Sequence, residues 1–135
     1  DYICYLGSET RLPMMDMEDA VAASLSLMQV PPERIRIRTS YNIGGLSFTP
    51  REVETSIRDH GLPHEWKVHY KPDPLRQGIA EGWPETIEDK FARKDWGFQS
   101  QCQDLSVLTR KLLCTLRTED VEGGDEILGS NGMVS

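Results

Sequence analysis

Between residues 49 and 61 the sequence writes out a helix with both ends marked. Thr49 carries a hydroxyl that can accept a first-turn N–H, Pro50 stands at the first helical position where its missing N–H costs nothing, and Glu52 closes a capping box. Val53 and Ile57 lie one turn apart as the buried stripe, and Gly61 is the residue expected just past the end. The helix is predicted over about 50–60.

The flanking segments are weaker versions of the same punctuation. Tyr2 to Leu6 read as a short buried strand closed by Gly7-Ser8-Glu9. Asp16 is the cap of a helix with Val21, Leu25 and Met28 at i, i+4 and i+7, stopped by Pro31-Pro32. Ile35 and Ile37 alternate with Arg36 and Arg38 through Tyr41 and Ile43, an extended segment ending at Gly44-Gly45. Trp66, Val68 and Tyr70 alternate as a strand, after which Pro72 and Pro74 predict a loop. Thr86 and Asp89 start another helix, with Ile87 and Phe91 one turn apart and Gly97 ending it. Leu105, Leu108, Leu112 and Leu116 mark a last amphipathic helix from Asp104 to about Arg117. The division is therefore a folded body over 1–118 and an acidic, glycine-containing tail over 119–135, expected to be disordered. No internal repeat is visible.

Charge narrows the function. The 135 residues carry 15 Lys plus Arg against 22 Asp plus Glu, a net charge of -7, the wrong sign for gaining affinity from phosphate contacts. Nucleic acid and an anionic membrane surface are poor partners. Five of the acids fall in the tail, so the body is close to balanced and the excess says little about a ligand. No apolar stretch approaches the roughly 20 residues of a spanning helix, and Cys4, Cys102 and Cys114 are too scattered for a disulfide framework or a thiolate zinc site. A chain that starts at Asp1 is read as incomplete.

Redox chemistry is also bounded. None of the eleven glycines forms G-x-G-x-x-G, and no tyrosine is followed four residues later by lysine, so neither a dinucleotide turn nor a tyrosine–lysine base is present. His64-Glu65 begins like a zinc helix, but the next histidine is His69, one place too late; His60, His64 and His69 are read as solvent-facing, with no metal expected. Ser47 is read as a turn residue and the cysteines as small buried side chains. Residues 71–84 leave two readings open: Asp73, Arg76 and Trp83 line a site, or Asp73 and Arg76 form a surface ion pair while Trp83 packs into the core.

Four strings taken together, TRLPMM at 10–15, SYNIGGLSFTPREV at 40–53, KPDPLRQGIAEGWP at 71–84 and ARKDWGF at 92–98, resemble the C-terminal part of the NAD-dependent L-threonine 3-dehydrogenases. These are extended short-chain dehydrogenases close to the sugar-nucleotide epimerases. The resemblance runs from about residue 1 to about residue 117. It implies an α/β fold, the substrate-binding part of such an enzyme without its N-terminal Rossmann part. It implies oxidation of L-threonine to 2-amino-3-ketobutyrate in the intact family, with NAD as the cofactor, one this chain alone is not expected to bind. Trp83 and Arg76 would be substrate-binding, Trp83 as an apolar wall and Arg76 toward the carboxylate, while Arg11 and Met14 would lie near the cofactor. No catalytic residue is assigned. The resemblance further implies a homodimer and a mitochondrial location, the residues alone indicating only a soluble intracellular protein. Two alternatives stand beside it: a non-catalytic interaction module, and a fragment of a nucleotide-sugar epimerase relative.

Overall fold

The helix written at 49–61 is present as α2, Pro50–Asp59, in a computed structural model that describes residues 1–61 and 65–122, with side chains described through residue 116. Thr49 Oγ1 accepts the Glu52 N–H at 3.2 Å and Glu52 Oε2 accepts the Thr49 N–H at 2.8 Å, satisfying two donors that the helix itself cannot pair. Gly61 follows with φ 110°, a left-handed value that a side chain would strain.

Two small sheets flank this helix. β1 (Tyr2–Cys4) and β4 (Val68–Tyr70) pair in parallel, Tyr2 opposite Val68 and Cys4 opposite Tyr70. β2 (Leu12–Met14) and β3 (Leu46–Phe48) pair antiparallel, Leu12 opposite Phe48 and Met14 opposite Leu46. Gly45 permits the second pairing, because a Cβ there would stand 2.4 Å from the Met14 carbonyl oxygen. The helices are α1 (Met17–Met28), α2, α3 (Pro74–Glu81), α4 (Lys90–Trp96) and α5 (Leu105–Glu122), which makes the fold α/β as expected.

The core sits where α1 meets α4. Ala23, Ala92, Trp96 and Phe98 are buried together, with Leu27, Tyr41 and Ile43 packed around them. Trp96 meets Tyr41 edge-on at 6.1 Å and Phe98 at 5.5 Å, the offset geometries that ring quadrupoles favour. Gly97 ends α4 in the left-handed conformation. A second contact joins α2 to α5 through polar groups: Ser56 Oγ donates to Thr109 Oγ1 at 2.8 Å, which donates to the Leu105 carbonyl.

Several expectations are corrected. The opening strand is three residues long, and Tyr2 and Ile3 are exposed, because only one strand neighbours it. Val21, Leu25 and Met28 also face outward; α1 instead buries Asp19 and Ala23. Residues 35–43 bend at 38–39 and join neither sheet, since the Tyr41 hydroxyl accepts the N–H groups of Arg36 and Ile37 and folds the segment back. Ser47 lies in a strand and not a turn. Within the predicted loop at 71–84 the chain forms a helix, Pro74–Glu81, whose start uses the same chemistry as α2: Asp73 Oδ1 accepts the Arg76 N–H at 2.9 Å and Pro74 occupies the first position. Helix α4 begins at Lys90, after Ile87, and α5 continues to Glu122, five residues past its expected end. The remainder of the tail, 123–135, lies outside the described residues.

Candidate functional site

Two stretches distant in sequence form opposite walls of a cleft of about 480 Å³. One wall is the turn from Gly7 to Arg11 between β1 and β2. The other runs from Gln77 in α3 through Trp83 to Glu85. Each wall is anchored before any ligand is considered.

On the first wall, Arg11 is held by two acceptors. Its Nη1 donates to the Ser47 carbonyl at 2.7 Å and its Nη2 to Glu52 Oε1 at 2.6 Å. Glu52 thus serves the α2 cap and the arginine at once; the Arg11 guanidinium, then the Thr49 N–H, hold its carboxyl below the usual carboxylate range. Glu9 is engaged likewise by Arg51 Nε, whose hydrogen bond, followed by that from Ser8, holds its carboxyl below the usual range.

On the second wall, α3 ends at Gly82 and the chain turns so that Trp83 stands at the mouth, 52% exposed. The alternative that placed Trp83 in the core is therefore wrong. Past Trp83, the Glu85 carbonyl accepts from Ser47 Oγ, which fixes the departing chain to β3. Glu81 and Glu85 have no cationic partner within ion-pair distance among the described residues.

The sequence-derived candidates separate. Arg11 and Trp83 line this cleft together. Arg76 does not; its guanidinium lies over the Tyr5 ring, 4.3 Å from the centroid, so the ion pair to Asp73 is replaced by a stacked cation and a backbone cap. Met14 is exposed at the end of β2, outside the cleft lining. Gln77, Thr10, Glu81 and Glu85 were not singled out. The signal for two of them was available: with Asp73-Pro74 read as a helix start, Gln77 and Glu81 fall one turn apart on one face.

No metal-binding group of three His, Cys, Asp or Glu occurs among the described residues. His60 is not solvent-facing: Nδ1 meets the Ser56 carbonyl at 2.7 Å and Nε2 meets Ser106 Oγ at 3.0 Å, joining α2 to α5. His69 contacts the Asp1 carboxylate, and His64 lies outside the described residues. The cleft lining contains no His, Cys, Tyr or Lys, so its means are an aromatic wall, amide and hydroxyl dipoles, carboxylates and the Arg11 guanidinium. Such an arrangement holds and orients a ligand. Glu81 and Glu85, without a cationic partner among the described residues, disfavour an anionic group at their end of the cleft.

Comparison with known proteins agrees with the fold. No protein-family model matches the sequence. The mitochondrial L-threonine 3-dehydrogenase of Bos taurus is 46% identical over 96 residues, covering 71% of this chain and 25% of the bovine protein. An uncharacterised epimerase/dehydratase of Staphylococcus haemolyticus is 33% identical over 119 residues, 88% of this chain and 36% of the relative. Among solved structures, a GalE-like L-threonine dehydrogenase from Cupriavidus necator superposes with a TM-score of 0.79 at 41% identity, over 85% of this chain and 40% of that one. A nucleoside-diphosphate-sugar epimerase from Agrobacterium tumefaciens, at 21% identity and a TM-score of 0.69, shares the fold. The chain is a homologue of the L-threonine 3-dehydrogenases and the related epimerase/dehydratases, and it spans between 25% and 40% of the length of these relatives.

Proposed function

We propose that this chain is the substrate-side portion of an enzyme that oxidises L-threonine to 2-amino-3-ketobutyrate with NAD as hydride acceptor, and that it is inactive by itself. The observation that carries the reading is the cleft in which Trp83 and Arg11 meet, on a fold 41% identical to a solved threonine dehydrogenase. Trp83 supplies a flat apolar wall for the methyl-bearing carbon. Glu81 and Glu85 favour a ligand with an ammonium group, which an amino acid has. Arg76, exposed and held over the Tyr5 ring outside the cleft lining, is proposed as the carboxylate contact. By the family resemblance, Arg11 in the cleft and Met14 outside it are proposed to lie near the cofactor of the intact enzyme. Neither a glycine-rich turn nor a Tyr-x-x-x-Lys is present in these 135 residues, so hydride transfer needs groups outside them. A homodimer and a mitochondrial location follow the family, the latter matching the bovine and pig relatives.

The nucleotide-sugar reading has the epimerase relatives behind it and the unpaired carboxylates against it. One experiment separates the two. Joined to the remaining portion of the Cupriavidus necator enzyme, this chain is expected to restore NADH formation from L-threonine, and Trp83→Ala to lower kcat/KM about ten-fold or more. By itself the chain is expected to give no saturable NAD heat in calorimetry. A folded chimera that turns over a nucleotide sugar and leaves threonine untouched would establish the epimerase reading; unchanged threonine kinetics in Trp83→Ala would remove the wall.

A further inference from the structure

The walls of the cleft belong to segments separated by more than half the described chain, and one side chain joins them. Gln77 Oε1 accepts the Gly7 N–H at 2.9 Å, and Gln77 Nε2 donates to Thr10 Oγ1 at 3.0 Å. The same Nε2 donates to Glu81 Oε1 at 2.9 Å, one turn further along α3. The amide therefore spans from the first wall to the residue two places before Trp83. On the far side of Trp83 the chain is tied separately, through Ser47 to Glu85.

We infer that Gln77 is a positioning residue: its carboxamide fixes the separation of the 7–10 turn from α3 and thereby the placement of Trp83 at the cleft mouth. A carboxamide can do this without added charge, because it offers an acceptor for Gly7 and a donor for Glu81, while the Thr10 hydroxyl lies within reach of both its oxygen and its nitrogen. Asparagine is one methylene short, about 1.5 Å, and cannot span both walls in the same geometry. Glutamate keeps the acceptor toward Gly7 but loses the donor and sets a second negative charge beside Glu81. The inference rests on the cleft proposed above as the substrate site, yet its test uses no ligand, so the two can fail independently.

The chain has three tryptophans, Trp66, Trp83 and Trp96. Labelled with fluorotryptophan, it gives three fluorine resonances, that of Trp83 being assigned by Trp83→Phe. In Gln77→Ala and Gln77→Asn the Trp83 resonance is expected to move by more than its linewidth while Trp66 and Trp96 stay in place. In Gln77→Glu it is expected to move at neutral pH and to return toward the parent position on acidification, as one proton shared by the two carboxyls restores a donor. A Trp83 resonance that stays in place in Gln77→Ala would overturn the inference. Should Gln77→Ala disturb all three resonances, the decision passes to Gln77→Glu: reversal with acid supports the role, and a pH-independent Trp83 signal ends it.

Discussion

Asp19 is the most deeply placed carboxylate of α1, 5% exposed, and it organises the turn after α4. It accepts from Ser100 Oγ at 2.6 Å, from the Cys102 N–H at 3.0 Å and from the Gln101 N–H at 3.1 Å. Burial opposes its charge, but these three donors outweigh burial and hold the carboxyl below its ordinary value. A depressed folded pKa contributes stability that is present above the unfolded value, about 3.9, and is lost as pH falls through the folded one. Asp19→Ala strands the three donors and is expected to cost about 2–4 kcal/mol near neutral pH in urea unfolding. The gap between parent and variant should narrow below about pH 4. A gap of constant size down to pH 3 would mean that the charge contributes nothing.

At the scale of elements, the same residue decides which way α1 faces. Asp19, Ala23 and Leu27 lie at i, i+4 and i+8, and this is the side turned to Ala92, Trp96 and Phe98. Val21, Leu25 and Met28 form the competing apolar stripe and are left outside, Met28 at 82% exposure. Leu25→Glu is therefore expected to change unfolding stability by less than about 0.5 kcal/mol and to reduce binding of a hydrophobic dye. A loss of 2 kcal/mol or more would show that something covers this face. The contrast explains what could be read from the sequence. The α2 cap was legible because the bonds that make it, between Thr49 and Glu52 with Pro50 at the first position, are all local in sequence, although Glu52 also meets the distant Arg11. The α3 cap used the same chemistry at Asp73 and Pro74, but two nearby prolines were read as a loop. The face of α1 was illegible, since its orientation is set by donors some eighty residues away in the chain. In the cleft, the residue types at Arg11 and Trp83 pointed to it through the resemblance. Gln77 did not, because its importance lies in partners at Gly7 and Thr10 that only folding brings near.

Considered whole, the molecule has no large side chain fully buried among the described residues, and its two sheets have two strands each. Exposed Leu75, Ile79, Ile87 and Phe91 add to the stripe on α1, an amount of uncovered apolar surface in keeping with a chain that spans about a third of its relatives. The parallel pairing of β1 with β4 has its own consequence for motion. It ties the first residues to a strand that follows α2, so forming it closes a long loop with only three residues of ladder in return. Opening that ladder need not disturb the Trp96 core. Cys4 lies on β1 and is half-buried, whereas Cys102 is buried beside Asp19. A thiol reagent is therefore expected to label Cys4 through local opening of the β1–β4 ladder, at a rate that mild urea hardly changes, and to reach Cys102 only as the whole domain unfolds. Equal urea dependence at both sites would mean that β1 opens with the core and not ahead of it.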